Sequence, residues 1–320
     1  MVAVMLLLDF INVGYGDAIL IRDTEEPFTM LVDCGDVSVG NGGPDSKRIP
    51  ASDYLRREGI ETLDLLVLTH LHRDHSGGLA EVISAARVRE LWTNYLPQES
   101  DWGRCIAVPE NFSAGSRCLL QSLNIFLDTL KTLQAQGARL RLRSEHQANF
   151  PLTKNLFAEL HTEAGKLRSR QEEIWSDALD GKADDQELQE LDGFINNTSL
   201  RLSLRYGGHR IELPGDMYAA CWETHDLPHC DILKLPHHGH RDALSPCLLE
   251  MLRPAHTVIS VSNTRTDMCP HPEVIQLLRQ TGSQVYFTDA VRGNGWTASA
   301  QAALRFQISN TQGLIFNMQR

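Results

Sequence analysis

The sequence predicts an α/β fold of two β-sheets packed face to face, each covered by helices on its outer side: a four-layer αβ/βα sandwich. Strands of buried character alternate with helical segments in two separate halves of the chain. In each half those strands stop at histidines and aspartates. At 320 residues and 42% hydrophobic content the chain can bury a large core, and residues 1–320 are expected to form one domain with a helical insertion at about 163–192.

Residues 2–35 read as strand, turn, strand, strand: VAVMLLLDFI, NVGYGD, AILIRD and FTMLVDCG, with the glycines of Gly14–Asp17 marking a hairpin. Asp33 ends the last of these strands. It is either a turn carboxylate taking backbone N–H bonds or a carboxylate behind a metal ligand, orienting a histidine. Residues 36–50, rich in Gly, Ser and Pro, are expected to border the site, and Ala51 to Gly59 reads as a short helix.

The stretch that organises the chain is LLVLTHLHRDHSGGL, residues 65–79. Leu65 to Leu68 reads as a strand buried on both faces, and it empties into His70, His72, Asp74 and His75. In an extended segment, positions i, i+2 and i+4 share a side, so His70, His72 and Asp74 should converge. Gly77 and Gly78 then allow a sharp turn towards a helix that returns His75 to the same point. Imidazoles and a carboxylate at a strand end suit a borderline cation such as Zn²⁺, Mn²⁺ or Fe.

Helix is expected at Leu79–Ala86, strand at Val88–Tyr95, loop at 97–117, and helix again from Leu119 to Gln136, ending at Gly137. Short strands follow at Arg139–Arg143 and Asn155–His161. Residues 163–192 hold ten acidic against four basic residues, which reads as a solvated helical insertion without chemistry. In NNTSLRLSLRYGGHRIELPGD, residues 196–216, Leu200, Leu202 and Leu204 alternate with polar residues as in a half-buried strand. The run ends at Asp216, which is either a helix N-cap or a carboxylate bridging two metals. DILKLPHHG, residues 231–239, stops at His237 and His238, adjacent residues of which normally only one can serve a given metal. Strand, helix and strand follow at Thr257–Ser262, His271–Gln280 and Gln284–Thr288, and strands at Leu304–Ile308 and Leu314–Phe316 close the chain.

The net charge of −11 argues against a broad basic patch for nucleic acid, which stays among the candidate partners, and bound cations would still attract a small anion. Seven singly placed cysteines without a CxxC pair suggest reduced thiols. The apolar start MVAVMLLLDF is short and reads as a strand, and no run is long enough to span a bilayer. The expectation is a cytoplasmic protein without a membrane partner.

HLHRDH fits the HxHxDH motif of the metallo-β-lactamase superfamily. VGYGDAILIR, LVDCG, NNTSLRLSLRYG, PGD, LKLPHHG and SVSNTRTDMCPHPEVIQLLRQTGSQVYFTD, in that order, resemble the metallo-hydrolase domain of ComEC-type DNA-uptake proteins and their free-standing relatives. The resemblance covers nearly the whole chain outside the insertion. It implies two divalent cations, Zn²⁺ with Mn²⁺ or Fe as alternatives. His70 and His72 would hold one and Asp74 and His75 the other, with Asp216 bridging and His238 completing the second. Lactamases take a third histidine for the first metal where this chain has Asn196-Asn197-Thr198-Ser199. Asn196, Asn197 and Ser199 are therefore expected behind the ligands with Asp33, and the first metal is expected to be less fully held. His161, in LHTEAG, lies too far upstream of Asp216 to be the missing ligand.

The implied activity is hydrolysis of a small or oligomeric phosphodiester by metal-activated hydroxide, Asp74 orienting the nucleophile. Lys234, His237 and His271 are the candidates to neutralise the substrate or protonate its leaving group. The alternatives are hydrolysis of a lactone, β-lactam or thioester on the same metals, and a non-enzymatic interaction module.

Overall fold

Leu65 and Val67 point into one apolar cluster and Leu66 and Leu68 into another, so this strand is buried on both faces as its unbroken apolar run requires. The computed structural model describes residues 5–43, 46–143, 146–162, 165–223, 227–264, 269–293, 296–298, 300–309 and 313–319. Residues 2–4 of the expected first strand, 163–164 of the insertion and 265–268 of the SVSNTRTDMC run lie outside them.

One sheet has eight strands, in the order Gly313–Gln319, Ala303–Ser309, Met5–Ile11, Ile19–Asp23, Phe28–Val32, Leu65–Leu68, Glu90–Thr93 and Arg139–Leu142. The other has seven: Gln284–Phe287, His256–Ile259, Ile232–Lys234, His209–Leu213, Arg201–Tyr206, Leu156–His161 and Gln147–Pro151. Alternate residues of both meet in a shared core, with Leu6, Leu8, Phe10 and Val67 facing Leu202, Leu204 and Ile211. The outer face of the first sheet lies under the helices Ala51–Arg57, Leu79–Ala85 and Ala114–Ala135. The outer face of the second lies under Pro246–Leu252 and Pro272–Thr281. The result is helix, sheet, sheet, helix, as the sequence predicts. Each of these helices is the crossover that a parallel strand pair needs, and the two pairs nearest the metal motifs are parallel: Phe28–Val32 with Leu65–Leu68, and Ile232–Lys234 with His256–Ile259.

Several stretches differ from the sequence reading. Gln147–Pro151 is an additional strand, and the helix expected from Leu119 begins at Ala114, where the Ser113 hydroxyl accepts from the Ser116 amide. The strand Arg201–Tyr206 is buried on both faces: Arg201 meets Glu212 at 3.2 Å and lies over the Trp222 ring. Glu212 also takes the Ser203 hydroxyl and Arg210, so a polar pattern that suggested solvent is a cross-strand network.

The acidic insertion is not a solvated appendage. It forms the helices Lys166–Leu179 and Asp185–Phe194, the second opened by a capping box of Asp184 and Glu187. Ile174, Trp175, Ala178, Leu188 and Leu191 are buried together with Leu119, Leu123 and Phe126 of the long helix. The charges occupy the opposite faces. Trp175→Ala should therefore destabilise the fold by about 3–5 kcal/mol in chemical denaturation. A solvated insertion would lose less than about 0.5 kcal/mol.

Candidate metal centre

His72 is extended, and its carbonyl accepts from the amides of His75 at 3.1 Å and Ser76 at 2.9 Å. Those bonds close a single helical turn, Arg73–Ser76. Asp74 and His75 thus face inward from a helix rather than from the extended run predicted for His70, His72 and Asp74. Gly77 and Gly78 serve proximity rather than turning. Both have negative φ, but a Cβ would stand 2.5 Å from the Val37 amide nitrogen at Gly77 and 2.3 Å from the Cys34 carbonyl at Gly78. Gly16 does both: its φ is 126°, and a Cβ there would come within 2.2 Å of the Asp74 carbonyl.

Four side chains from three segments converge. His75 Nε2 lies 3.2 Å from Asp216 Oδ2, and His238 Nε2 lies 3.2 Å from Asp74 Oδ2 and 3.6 Å from Asp216 Oδ2. These four residues can each present a ligand atom within 4.8 Å of the other three. Tetrahedral bonds of about 2.0–2.1 Å put neighbouring ligand atoms roughly 3.3–3.4 Å apart. His238 reaches the group because His237 and His238 are both in the left-handed region, with φ of 46° and 50°. That backbone sends the two rings apart, His238 inward and His237 onto Asp242 at 2.7 Å. His70 and His72 stand beside this group, the His70 ring centroid 4.2 Å from that of His75 and 4.9 Å from that of His72.

The surrounding hydrogen bonds decide which nitrogens are exposed to a cation. Asp33 accepts from the Thr69 amide and hydroxyl, each at 2.8 Å, and holds His75 Nδ1 at 2.8 Å. The Thr69 hydroxyl thus donates to Asp33, and the Ser199 hydroxyl donates to the Asn196 carbonyl. Their remaining lone pairs face His70 Nδ1 at 3.1 and 3.3 Å, which places the proton on that nitrogen. The Nε2 atoms of His70, His72 and His75 are buried without a hydrogen bond, lone pairs left for another partner. Asn196 and Asn197 act elsewhere: Asn196 contacts His237 and the Tyr218 hydroxyl, and Asn197 accepts from the Tyr218 amide.

Electrostatics favour positive charge here. Burial alone would discharge Asp74 and Asp216, yet His75 and His238 hold both carboxyls below the ordinary carboxylate range. His75 is raised well above an ordinary imidazole: burial opposes its charge, but Asp216, Asp33 and Asp74 outweigh it. His70 is lowered well below, by burial first and then by His75 and His72, so it presents a neutral ring. Imidazoles and charged carboxylates at ligand spacing, with buried Nε2 atoms unpaired, fit a borderline divalent cation.

The group opens into a cleft of about 310 Å³ lined by His72, Asp74, Asp216 and His237, with Tyr15, Arg73 and Asp192 around them. Of the three candidate proton donors only His237 lines it. Lys234 is 1% exposed and ion-paired with Asp17 beneath the group, so its charge is already met. His271 caps the helix Pro272–Thr281, with its ring against Arg241 and the Glu273 amide. His161 meets Glu159 and His146 in a separate cluster. The reading of the residues passed over Asp17 and Asp192. Asp17 carried a signal, a carboxylate directly after Gly14-Tyr15-Gly16; Asp192 carried none.

Asp33 has φ of 58°, a conformation asparagine tolerates. Asp33→Asn should leave the fold intact while weakening the grip on His75, lowering divalent-metal affinity about tenfold in chelator competition.

Residues 11–95 match the family model "Metallo-beta-lactamase superfamily". The chain is 23% identical over 296 residues to ComE operon protein 3 of Bacillus subtilis (strain 168), covering 88% of this chain and 32% of that protein. It is 24% identical over 307 residues to Recombination protein 2 of Haemophilus influenzae (strain ATCC 51907 / DSM 11121 / KW20 / Rd), covering 95% of this chain and 30% of that protein. It thus spans about a third of the length of the curated relatives it matches. Among solved structures, the metallo-beta-lactamase fold protein YhfI from Bacillus subtilis matches with a TM-score of 0.47 and 9% identity, over 95% of this chain and 99% of that one. No helix among the described residues is long and apolar enough to cross a membrane. Residues 11–95 are thus similar to the metallo-β-lactamase superfamily, and most of the chain is similar to about a third of ComE operon protein 3.

Proposed function

We propose that the chain is a metal-dependent hydrolase that works with two divalent cations, Zn²⁺ or alternatively Mn²⁺ or Fe, on a small or oligomeric phosphodiester. The observation that carries this reading is the convergence of Asp74, His75, Asp216 and His238 at ligand spacing on the floor of a polar cleft. Divalent cations there would supply Lewis acidity, acidify a water near neutral pH and offset phosphate charge.

The chain's own side chains do the rest. Asp33 fixes the face of His75, and Thr69 and Ser199 fix the face of His70, so Nε2 of each points away from its support. Asp74 lies at the boundary between group and cleft, its side chain 17% exposed against 3% for Asp216. It is therefore the carboxylate placed to take a hydrogen bond from an attacking water. His237 leans on Asp242 and is stacked on Tyr218 and His240. Burial lowers its basicity, but the Asp242 hydrogen bond and Asp216 together raise it above an ordinary imidazole, which suits a proton donor to a leaving oxygen. Arg73 stands at the wall, ion-paired with Asp36 at 2.9 Å. An anionic substrate suits these cationic and donor groups better than a neutral lactam or thioester does. The acidic net charge of −11 favours a short phosphodiester over a long duplex.

Asp74→Ala and Asp216→Ala should each reduce turnover of an aryl phosphodiester by at least about 100-fold while the circular dichroism spectrum is unchanged. Wild-type protein should turn over that ester faster than a chromogenic cephalosporin. Full turnover in both variants, or faster cephalosporin cleavage, would contradict the assignment.

A further inference from the structure

We propose that His146, Glu159 and His161 form a second, separate site for a divalent transition metal such as Zn²⁺, on the outer face of the second sheet. It shares no residue with the group at the cleft, and it does not depend on the hydrolase reading.

The strand Leu156–His161 divides its residues between two faces. Leu156, Ala158 and Leu160 are buried in the core between the sheets, so Glu159 and His161 stand together on the opposite face. The third residue arrives through a shift of register. Phe157 pairs with Pro151 and Ala158 with Phe150, but Leu160 pairs with Gln147, one residue further along than an unbroken ladder would bring. Without that bulge Gln147 would stand opposite His161; with it, His146 does. The two imidazole centroids accordingly lie 4.4 Å apart, their planes inclined at 44°.

His161 Nε2 lies 3.4 Å and His146 Nε2 4.0 Å from the same oxygen, Glu159 Oε1. Both separations exceed the roughly 2.7–3.2 Å of a direct N–H···O bond. The first matches the spacing of two ligands on one tetrahedral ion, roughly 3.3–3.4 Å. The second closes by a small swing of His146, whose side chain is 53% exposed. One ligand atom from each residue already lies within 4.8 Å of the other two. The other oxygen, Glu159 Oε2, accepts from Arg210 at 3.1 Å, which fixes the carboxylate and turns Oε1 towards the imidazoles. Arg210 and Arg201 both pair with Glu212, at 2.7 and 3.2 Å, so their charges are met within the sheet. Two imidazoles and one carboxylate suit Zn²⁺, Cu²⁺ or Ni²⁺ better than Mg²⁺ or Ca²⁺. Gln147–Pro151 is the outermost strand of its sheet, and a cation shared by His146 and the neighbouring strand would fasten that edge.

The test is a Zn²⁺ titration of the intact, metal-stripped chain against a competing chelator, with bound metal counted by plasma mass spectrometry after desalting. His146→Ala and His161→Ala should each bind one equivalent fewer than wild type, or hold that equivalent at least about tenfold more weakly. His229→Ala, which removes an exposed histidine outside both groups, should keep the wild-type count. His146 is exposed, so its variant should keep the wild-type thermal midpoint when metal-free, and it decides the matter if His161→Ala is unstable. Equal counts and affinities in wild type and His146→Ala would overturn the proposal. So would an equal loss in His229→Ala, because zinc would then be held indiscriminately by surface histidines. A wild type with a single equivalent, lost in His146→Ala, would support this site and contradict the two-cation reading of the cleft.

Discussion

The structure depends on keeping two neighbouring carboxylates charged, one buried and one at the mouth of a cleft. Asp216 is 2% exposed, and Asp74 stands within 4.8 Å ligand-atom reach of it, an arrangement that desolvation and mutual repulsion both oppose. It persists because His75 and His238 meet both carboxylates, while Asp33 braces His75 from behind. His75, raised well above an ordinary imidazole by Asp216, Asp33 and Asp74 against the cost of its burial, favours the charged carboxylates. A divalent cation at the same point would do so more fully, with its ligands already oriented.

Every larger feature positions that group. Parallel strands from the two sheets end on one edge, so residues far apart in sequence arrive at one place: His75 after Leu65–Leu68, Asp216 after His209–Leu213 and His238 after Ile232–Lys234. The early loop holding Gly16 and Asp17 is clamped on the metal turn, the Asp17 amide donating to the Asp74 carbonyl at 3.1 Å. Below the group, the buried pair of Lys234 and Asp17 ties the second sheet to that loop. A displacement of either sheet would therefore be felt at the ligands.

Much of this was legible in the sequence, for a physical reason. Unbroken apolar strands that stop at histidine or aspartate announce both a sandwich interior and a polar edge, so the layers and the side chains that meet at that edge could be read together. Other features could not. HLHRD satisfies the period of a strand, and only the capture of the His75 and Ser76 amides by the His72 carbonyl shows that the last part is helical. The charge density of residues 163–192 conceals a stripe of Ile174, Trp175, Leu188 and Leu191 whose burial exists only against the long helix. Arg201 and Glu212 look like solvent-facing charges until strand pairing sets Glu212 opposite Ser203, with Arg201 diagonal to it at 3.2 Å. Lys234 looks like a substrate-facing cation until Asp17, distant in sequence, takes its charge. In each case the decisive partner comes from another part of the chain.

The most direct measurement is anomalous scattering from crystals of the protein loaded with Zn²⁺ or Mn²⁺, recorded on both sides of the metal's absorption edge. The account predicts a peak in bonding contact with Asp74, His75, Asp216 and His238, a group whose ligand atoms already lie within 4.8 Å of one another. Loaded crystals whose only anomalous signal lies away from those side chains would contradict it.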